Sequence, residues 1–121
     1  MSDSELIDWE QLEMVFGDED DFDEDMAELF QEFVEDANDH FTQISAEDFE
    51  SSRELVAKLA HKVKGSCANF GFNGVATSLA SIENGIADLA LDTFNSLLAT
   101  AKSDFQKSLE EVHSRYPALS A

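Results

Sequence analysis

Chemistry in this chain centres on one histidine. His61 stands in the run Ala60, His61, Lys62, Val63, Lys64, Gly65, Ser66, Cys67, and three of the chain's seven basic residues, Lys58, Lys62 and Lys64, lie within three positions of it. On an α-helix turning about 100° per residue, Leu55, Leu59, Val63, Ser66 and Phe70 fall on one side, and Val56, Ala60 and Cys67 widen that apolar arc. His61 lies opposite the centre of the arc. Its companions there are Ala57, Gly65 and Ala68, all small. An imidazole with an ordinary pKa near 6.5 is nucleophilic at neutral pH and leaves again readily. This one is expected to be open to approach and set in positive potential, a setting that suits a small anion.

Other candidate groups carry less chemistry. Cys67 is the only cysteine, so no internal disulfide can form, and its place on the apolar arc makes it a core residue. His40 and His113 sit at the margins of apolar stripes and read as boundary residues. Ser66 falls on the core arc, where packing with a backbone hydrogen bond is expected. Asp21, Asp23, Asp25 and Glu32 echo the outline of a calcium loop, but Met26 occupies the position that needs glycine for the sharp turn. No metal site is expected.

Charge is distributed unevenly. The net charge is −20, from 27 acidic and 7 basic residues in 121. Residues 1–50 contain 20 of the acids and no Lys or Arg; the remainder is neutral, and Arg53, Lys58, Lys62 and Lys64 form its one concentrated basic island. Nucleic acid and anionic membrane are therefore excluded as partners, since phosphate backbones need a broad basic face. No apolar run approaches the ~20 residues that span a bilayer, and the acidic start lacks the basic region of a signal peptide. A cytoplasmic, monomeric protein is expected.

The elements that must position His61 follow from periodicity. Residues 1–6 read as a frayed terminus. Ile7, Trp9, Leu12, Val15 and Phe16 form a short amphipathic helix with Asp8 as N-cap and Gly17 as stop, and an acidic linker occupies 17–25. Met26, Leu29, Phe30, Phe33, Val34, Ala37, Phe41 and Ile44 recur at three- and four-residue steps, predicting a helix of about five turns. A turn follows over 45–48, and Phe49 is placed to close over the core. The helix bearing His61 runs over about 50–70, with Gly71 as its C-terminal stop. Asn73 caps the next helix, whose stripe is Val75, Leu79, Ile82, Ile86 and Leu89. Asp92 or Thr93 caps the last, with Phe94, Leu97, Leu98, Ala101, Phe105, Leu109, Val112 and Tyr116 before Pro117. No segment alternates with period two. The predicted fold is all-α: one domain over 1–121, an antiparallel up-down-up-down four-helix bundle with a short extra N-terminal helix.

Ala60, His61, Val63, Lys64, Gly65, Ser66, Phe70 and Gly71, followed on the next helix by Leu79, Ile82 and Glu83, resemble the phosphohistidine motif of histidine-containing phosphotransfer (HPt) domains. The run 69–72 is also similar to the phosphotransfer domain of chemotaxis-type histidine kinases. The resemblance implies that His61 is the phosphoacceptor, that Lys64 neutralises charge on the phosphoryl group, and that Glu83 orients the imidazole by accepting from Nδ1–H, directly or through water, leaving Nε2 to be phosphorylated. It implies partners: response-regulator receiver domains and a sensor or hybrid histidine kinase. Receivers would dock over Ala57, Lys58, Lys62, Gly65 and Ala68 around His61, aided by nearby residues of the second helix, with Gly65 keeping the approach to the ring open. No cofactor is expected on this chain, and Mg²⁺ would come with the receiver. The protein would be a carrier and not an enzyme, because no Gly-rich phosphate loop or ATP-binding domain is present. Two alternatives remain at this point: an acidic helical interaction module without phosphotransfer, and a phosphoacceptor served directly by a chemotaxis-type kinase ATP domain.

Overall fold

The computed structural model describes residues 6–17 and 24–116. Among these there are five helices and no strand: α1 (Trp9–Phe16), α2 (Glu24–Ala46), α3 (Arg53–Asn69), α4 (Asn73–Gly85) and α5 (Leu91–Arg115). Most of the frayed terminus expected over 1–6, and most of the acidic linker with Asp21 and Asp23 of the calcium outline, lie outside the described residues.

Local chemistry accounts for the short helix. Asp8 caps α1, its carboxylate accepting from the Gln11 N–H at 3.2 Å, and Gly17 ends it at φ 80°, a conformation that costs glycine little. The helix lies across one end of the others and is tied there at several points. Asp8 N–H donates to Gly71 O at 2.7 Å, and Gln11 Nε2 donates to Asn69 O at 3.0 Å, satisfying a carbonyl in the last turn of α3. Arg115 at the end of α5 pairs with Glu13 at 2.6 Å and stacks over Trp9. Ile7, Leu12 and Phe16 are buried.

The core is largely aromatic. Phe33 stacks on Phe70 with ring centroids 4.7 Å apart and meets Phe72 and Phe105 edge-on; Phe30 meets Phe16 and Phe70 in the same way. Each such pair adds roughly 0.5–1.5 kcal/mol beyond the area it buries. These rings also set the spacing of the helices. Backbones approach most closely between α3 and α4 and between α4 and α5. Between α2 and α5, Phe33 and Phe41 reach across to Phe105, and two surface cavities of about 420 and 440 Å³ open along that seam.

Several expectations are corrected. The buried side of α3 comprises Val56, Leu59, Ala60, Val63 and Cys67, whereas Leu55 is 41% exposed and Ser66 is exposed. Close packing on α4 turns the buried arc toward Ala60 and carries Leu55 and Ser66 out of it, so Ser66 is not a core residue. Asn73 is the first helical residue of α4 and not its cap, and Ala90 precedes α5 where Asp92 or Thr93 was expected; Asp92 instead sits in the first turn, where a carboxylate suits the helix dipole. Helix α4 ends at Gly85, so Ile86 and Leu89 belong to the turn that follows. Arg53 holds that turn. Its guanidinium donates to Ile86 O at 2.6 Å and Leu89 O at 3.0 Å, pairs with Glu50 at 2.6 Å, and covers the Phe49 ring. Arg53 therefore belongs to this turn and not to the basic island around His61.

Candidate functional site

His61 sits mid-way along α3, with its side chain 65% exposed. The same stretch of α4 brings Glu83 beneath it. Glu83 Oε2 lies 2.7 Å from His61 Nδ1, and Oε1 lies 2.6 Å from Lys64 Nζ, so each carboxylate oxygen serves one partner. The ion pair with Lys64, and then the bond to His61, hold the Glu83 carboxyl below the usual carboxylate range against the opposing effect of burial. An ionised carboxylate can only accept hydrogen bonds. The Nδ1 facing it must therefore carry a proton, and in the neutral ring the lone pair is on Nε2.

Helical spacing builds this arrangement. His61 and Lys64 are three apart, which puts them on one flank of α3, and that flank is the one α4 covers. Glu83 follows Ile82, a residue with no exposed surface, so burial of its neighbour fixes the rotation of α4 and hence the direction of the carboxylate.

The other residues singled out from sequence divide into groups. Gly65 and Ala68 are exposed beside His61, and Ala57 is half-buried. A Cβ built on Gly65 meets no atom within 4 Å. Lys58 and Lys62 are exposed and make no hydrogen bond or ion pair among the described residues. Cys67 is fully buried, and burial pushes its thiol up, so it stays protonated. His40 and His113 are half-buried on α2 and α5. Among the described residues, no group of three or more His, Cys, Asp and Glu is placed to hold a metal ion, and no helix is long and apolar enough to cross a membrane.

Sequence reasoning did not foresee the shallow cavity of about 450 Å³ that begins at Lys64 and follows the α3–α4 groove. Gly65 and Ala68 border it on one side; Asn73, Ala76, Thr77 and Ala80 border it on the other. The signal was present in the spacing of those four residues at 0, 3, 4 and 7, which is a single helix face.

A family model described as the Hpt domain matches residues 28–115, well over half of the chain, spanning α2 to α5 and leaving α1 outside. No curated protein and no solved structure matches.

Proposed function

The chain belongs to the Hpt domain family, and we propose that it is a phosphorelay intermediate that accepts a phosphoryl group on His61 from the aspartate of one receiver domain and passes it to another. Hpt domains carry out phosphotransfer in two-component signalling as phosphocarriers, interacting with receiver domains and histidine kinases. The observation that carries the reading is the two-handed contact of Glu83 with His61 and Lys64.

In the forward step the Nε2 lone pair attacks phosphorus in line with the acyl-phosphate oxygen. The N–P bond forms, the P–O bond breaks, and the electron pair leaves on the receiver's carboxylate. Nδ1 keeps its proton, so the phosphorylated ring is cationic. Glu83 already faces that proton and stabilises the charge without reorganisation. Lys64, held at the Glu83 carboxylate, stands one turn after His61 and supplies a cation to the phosphoryl oxygens. Reversal requires only another receiver carboxylate, and Mg²⁺ travels with the receiver.

Gly65 supports the same reading. Glycine inside a helix costs roughly 0.5–1 kcal/mol relative to alanine. Here no neighbouring atom and no positive φ requires it. An incoming protein surface does. The rest of the proposal is one domain built as an antiparallel up-down-up-down bundle. It is supported by the tie of Arg53 to Ile86, which pairs the start of α3 with the residue after the end of α4, and by the stacking of Phe49 on Phe94, which pairs the residues after the end of α2 with the start of α5. It acts as a cytoplasmic monomer.

Incubation with phosphorylated receiver domains, and separately with ATP and a histidine kinase, tests the function. Wild type acquires acid-labile, base-stable phosphate in the first reaction and His61→Gln does not. Labelling only in the second reaction favours direct service by a kinase ATP domain. Absence of label in both, with partner binding unchanged in His61→Gln, leaves the acidic interaction module.

A further inference from the structure

We propose that the seam between α2 and α5 is a second docking surface, and that it takes a cationic amphipathic helix of a partner protein. The two cavities along that seam, of about 420 and 440 Å³, both have Lys102 in their lining, so they meet at it and form one groove. The residues that line them belong to α2, to the turn over 47–49 and to α5. None comes from α3 or α4. The groove is therefore separate from His61 and Glu83, and the inference does not rest on phosphotransfer.

Shape points to a helix. The floor is apolar and buried, with Ile44, Phe49, Phe94 and Leu98 under one cavity and Phe41 and Phe105 under the other. Leu91, at one end, is 47% exposed, which leaves a large apolar side chain uncovered. The α5 lip is formed by Leu91, Asn95, Ala99, Lys102 and Gln106, a single helix face running about 22 Å at 1.5 Å per residue. Across from it on α2 stand Asn38, Thr42 and Ser45. A trough of that length between two helices accepts a third helix of about four turns, whose apolar anchors enter the two cavities.

Charge selects the sign of that helix. Glu47 and Asp48 border one end of the groove. Toward the other end Glu35 stands one turn before Asn38 on α2, and Glu110 one turn after Gln106 on α5, both exposed. Lys102 lies between these ends. Its ammonium donates to Ser45 Oγ across the seam and makes no ion pair among the described residues. A helix with cations in its first and last turns meets carboxylates at both ends and leaves Lys102 facing a neutral acceptor, whereas an anionic helix is repelled at both ends.

The probe is a fluorescein-labelled synthetic peptide of about 16 residues, with a Leu stripe at helical spacing, Lys in its first and last turns and Gln between. A scrambled peptide of the same composition keeps the charge and loses the stripe; a version with Glu in place of Lys reverses the charge. Anisotropy titrations at about 0.15 M salt, where screening leaves nearby carboxylates as the effective ones, are expected to give a Kd at least tenfold lower for the striped cationic peptide than for either control. Ala99→Trp, which fills the groove from an exposed position, is expected to raise that Kd at least tenfold, and Gln43→Trp, exposed on α2 outside the lining, to leave it within twofold. Glu47→Gln combined with Asp48→Asn is expected to weaken binding at least fivefold. Glu32→Gln combined with Asp36→Asn removes the same charge from exposed positions outside the lining and is expected to change it less than twofold. Equal affinity for the scrambled peptide, or equal loss in the two charge-neutralised variants, overturns the groove and leaves only attraction to the net charge of −20. Tighter binding of the Glu peptide overturns the cationic partner. A dimer in sedimentation equilibrium that Ala99→Trp dissociates overturns it in favour of a second copy of this chain. Circular dichroism and melting temperature report whether each variant is folded, and if Ala99→Trp is not, the charge-neutralised variants decide the outcome.

Discussion

Adding one methyl group at Gly65 should make this protein more stable and a poorer phosphocarrier. Gly65 lies inside α3 on backbone without a positive φ, and a Cβ built there meets nothing within 4 Å. Alanine therefore recovers the backbone entropy that glycine loses on folding, about 0.5–1 kcal/mol, with no steric penalty to set against it. For a domain of this size that corresponds to a rise in Tm of about 2–5 °C. The same methyl stands one turn from His61 on the face a donor must cover. Displacing the reacting atoms by an ångström costs roughly 10²-fold in rate, so transfer from a phospho-receiver should fall by about 10- to 100-fold. Thermal melts followed by circular dichroism and rapid-quench transfer assays measure the two effects on one preparation. Gly71→Ala provides the opposite case. Its φ is 74° and the added Cβ would lie 2.6 Å from Asp8 O, so stability should fall by more than ~1 kcal/mol. A lower Tm for Gly65→Ala, or a transfer rate within twofold of wild type, would refute the argument that this glycine serves an incoming surface.

Two further outcomes are expected. Because the folded-state pKa of Glu83 lies below its unfolded value, Glu83 adds stability that is complete above the ordinary carboxyl pKa, near 4.3, and is lost as pH falls through the lower folded value. Urea melts at pH 7 and pH 3 should accordingly show a smaller acid-induced loss for Glu83→Gln than for wild type; equal losses would count against the ion pair with Lys64. Arg53→Ala removes two charge-assisted bonds to the Ile86 and Leu89 carbonyls and should cost about 2–3 kcal/mol, read as a lower urea midpoint at constant m. Phosphotransfer should persist under conditions where that variant is folded, which separates Arg53 from the lysines near His61.

Much of this was legible in the residue pattern because the helices are short-range objects. Asp8 and Gly17 mark the ends of α1 through bonds to residues three and four positions away. The long stripes of α2 and α5 are read from spacing alone, except that Leu29, expected in the α2 stripe, is exposed. Some failures were local, since α4 and α5 begin earlier than Asn73 and Asp92 suggest as caps; others depended on a distant partner. The rotation of α3, which exposes Leu55 and Ser66, is set by how closely α4 packs. The turn after α4 is held by Arg53, more than thirty residues earlier in the chain. At the candidate site, local spacing put His61, Lys64 and Gly65 on neighbouring faces. That Glu83 divides its oxygens between two partners became visible only in three dimensions.

The seat of α1 has a mechanical consequence. Glu13 is tied to Arg115, Trp9 lies under that guanidinium, and Tyr116 Oη donates to Gly17 O at 3.4 Å, so the first and last described helices close the chain into a ring. A pull between residues 6 and 116 would load those surface ties in shear. Asp8 and Gln11 are bonded to Gly71 O and Asn69 O at the end of α3, so the same pull also loads the α3–α4 junction, eight residues from His61. Tension on the ends of the chain is thereby coupled to the helix that carries the imidazole.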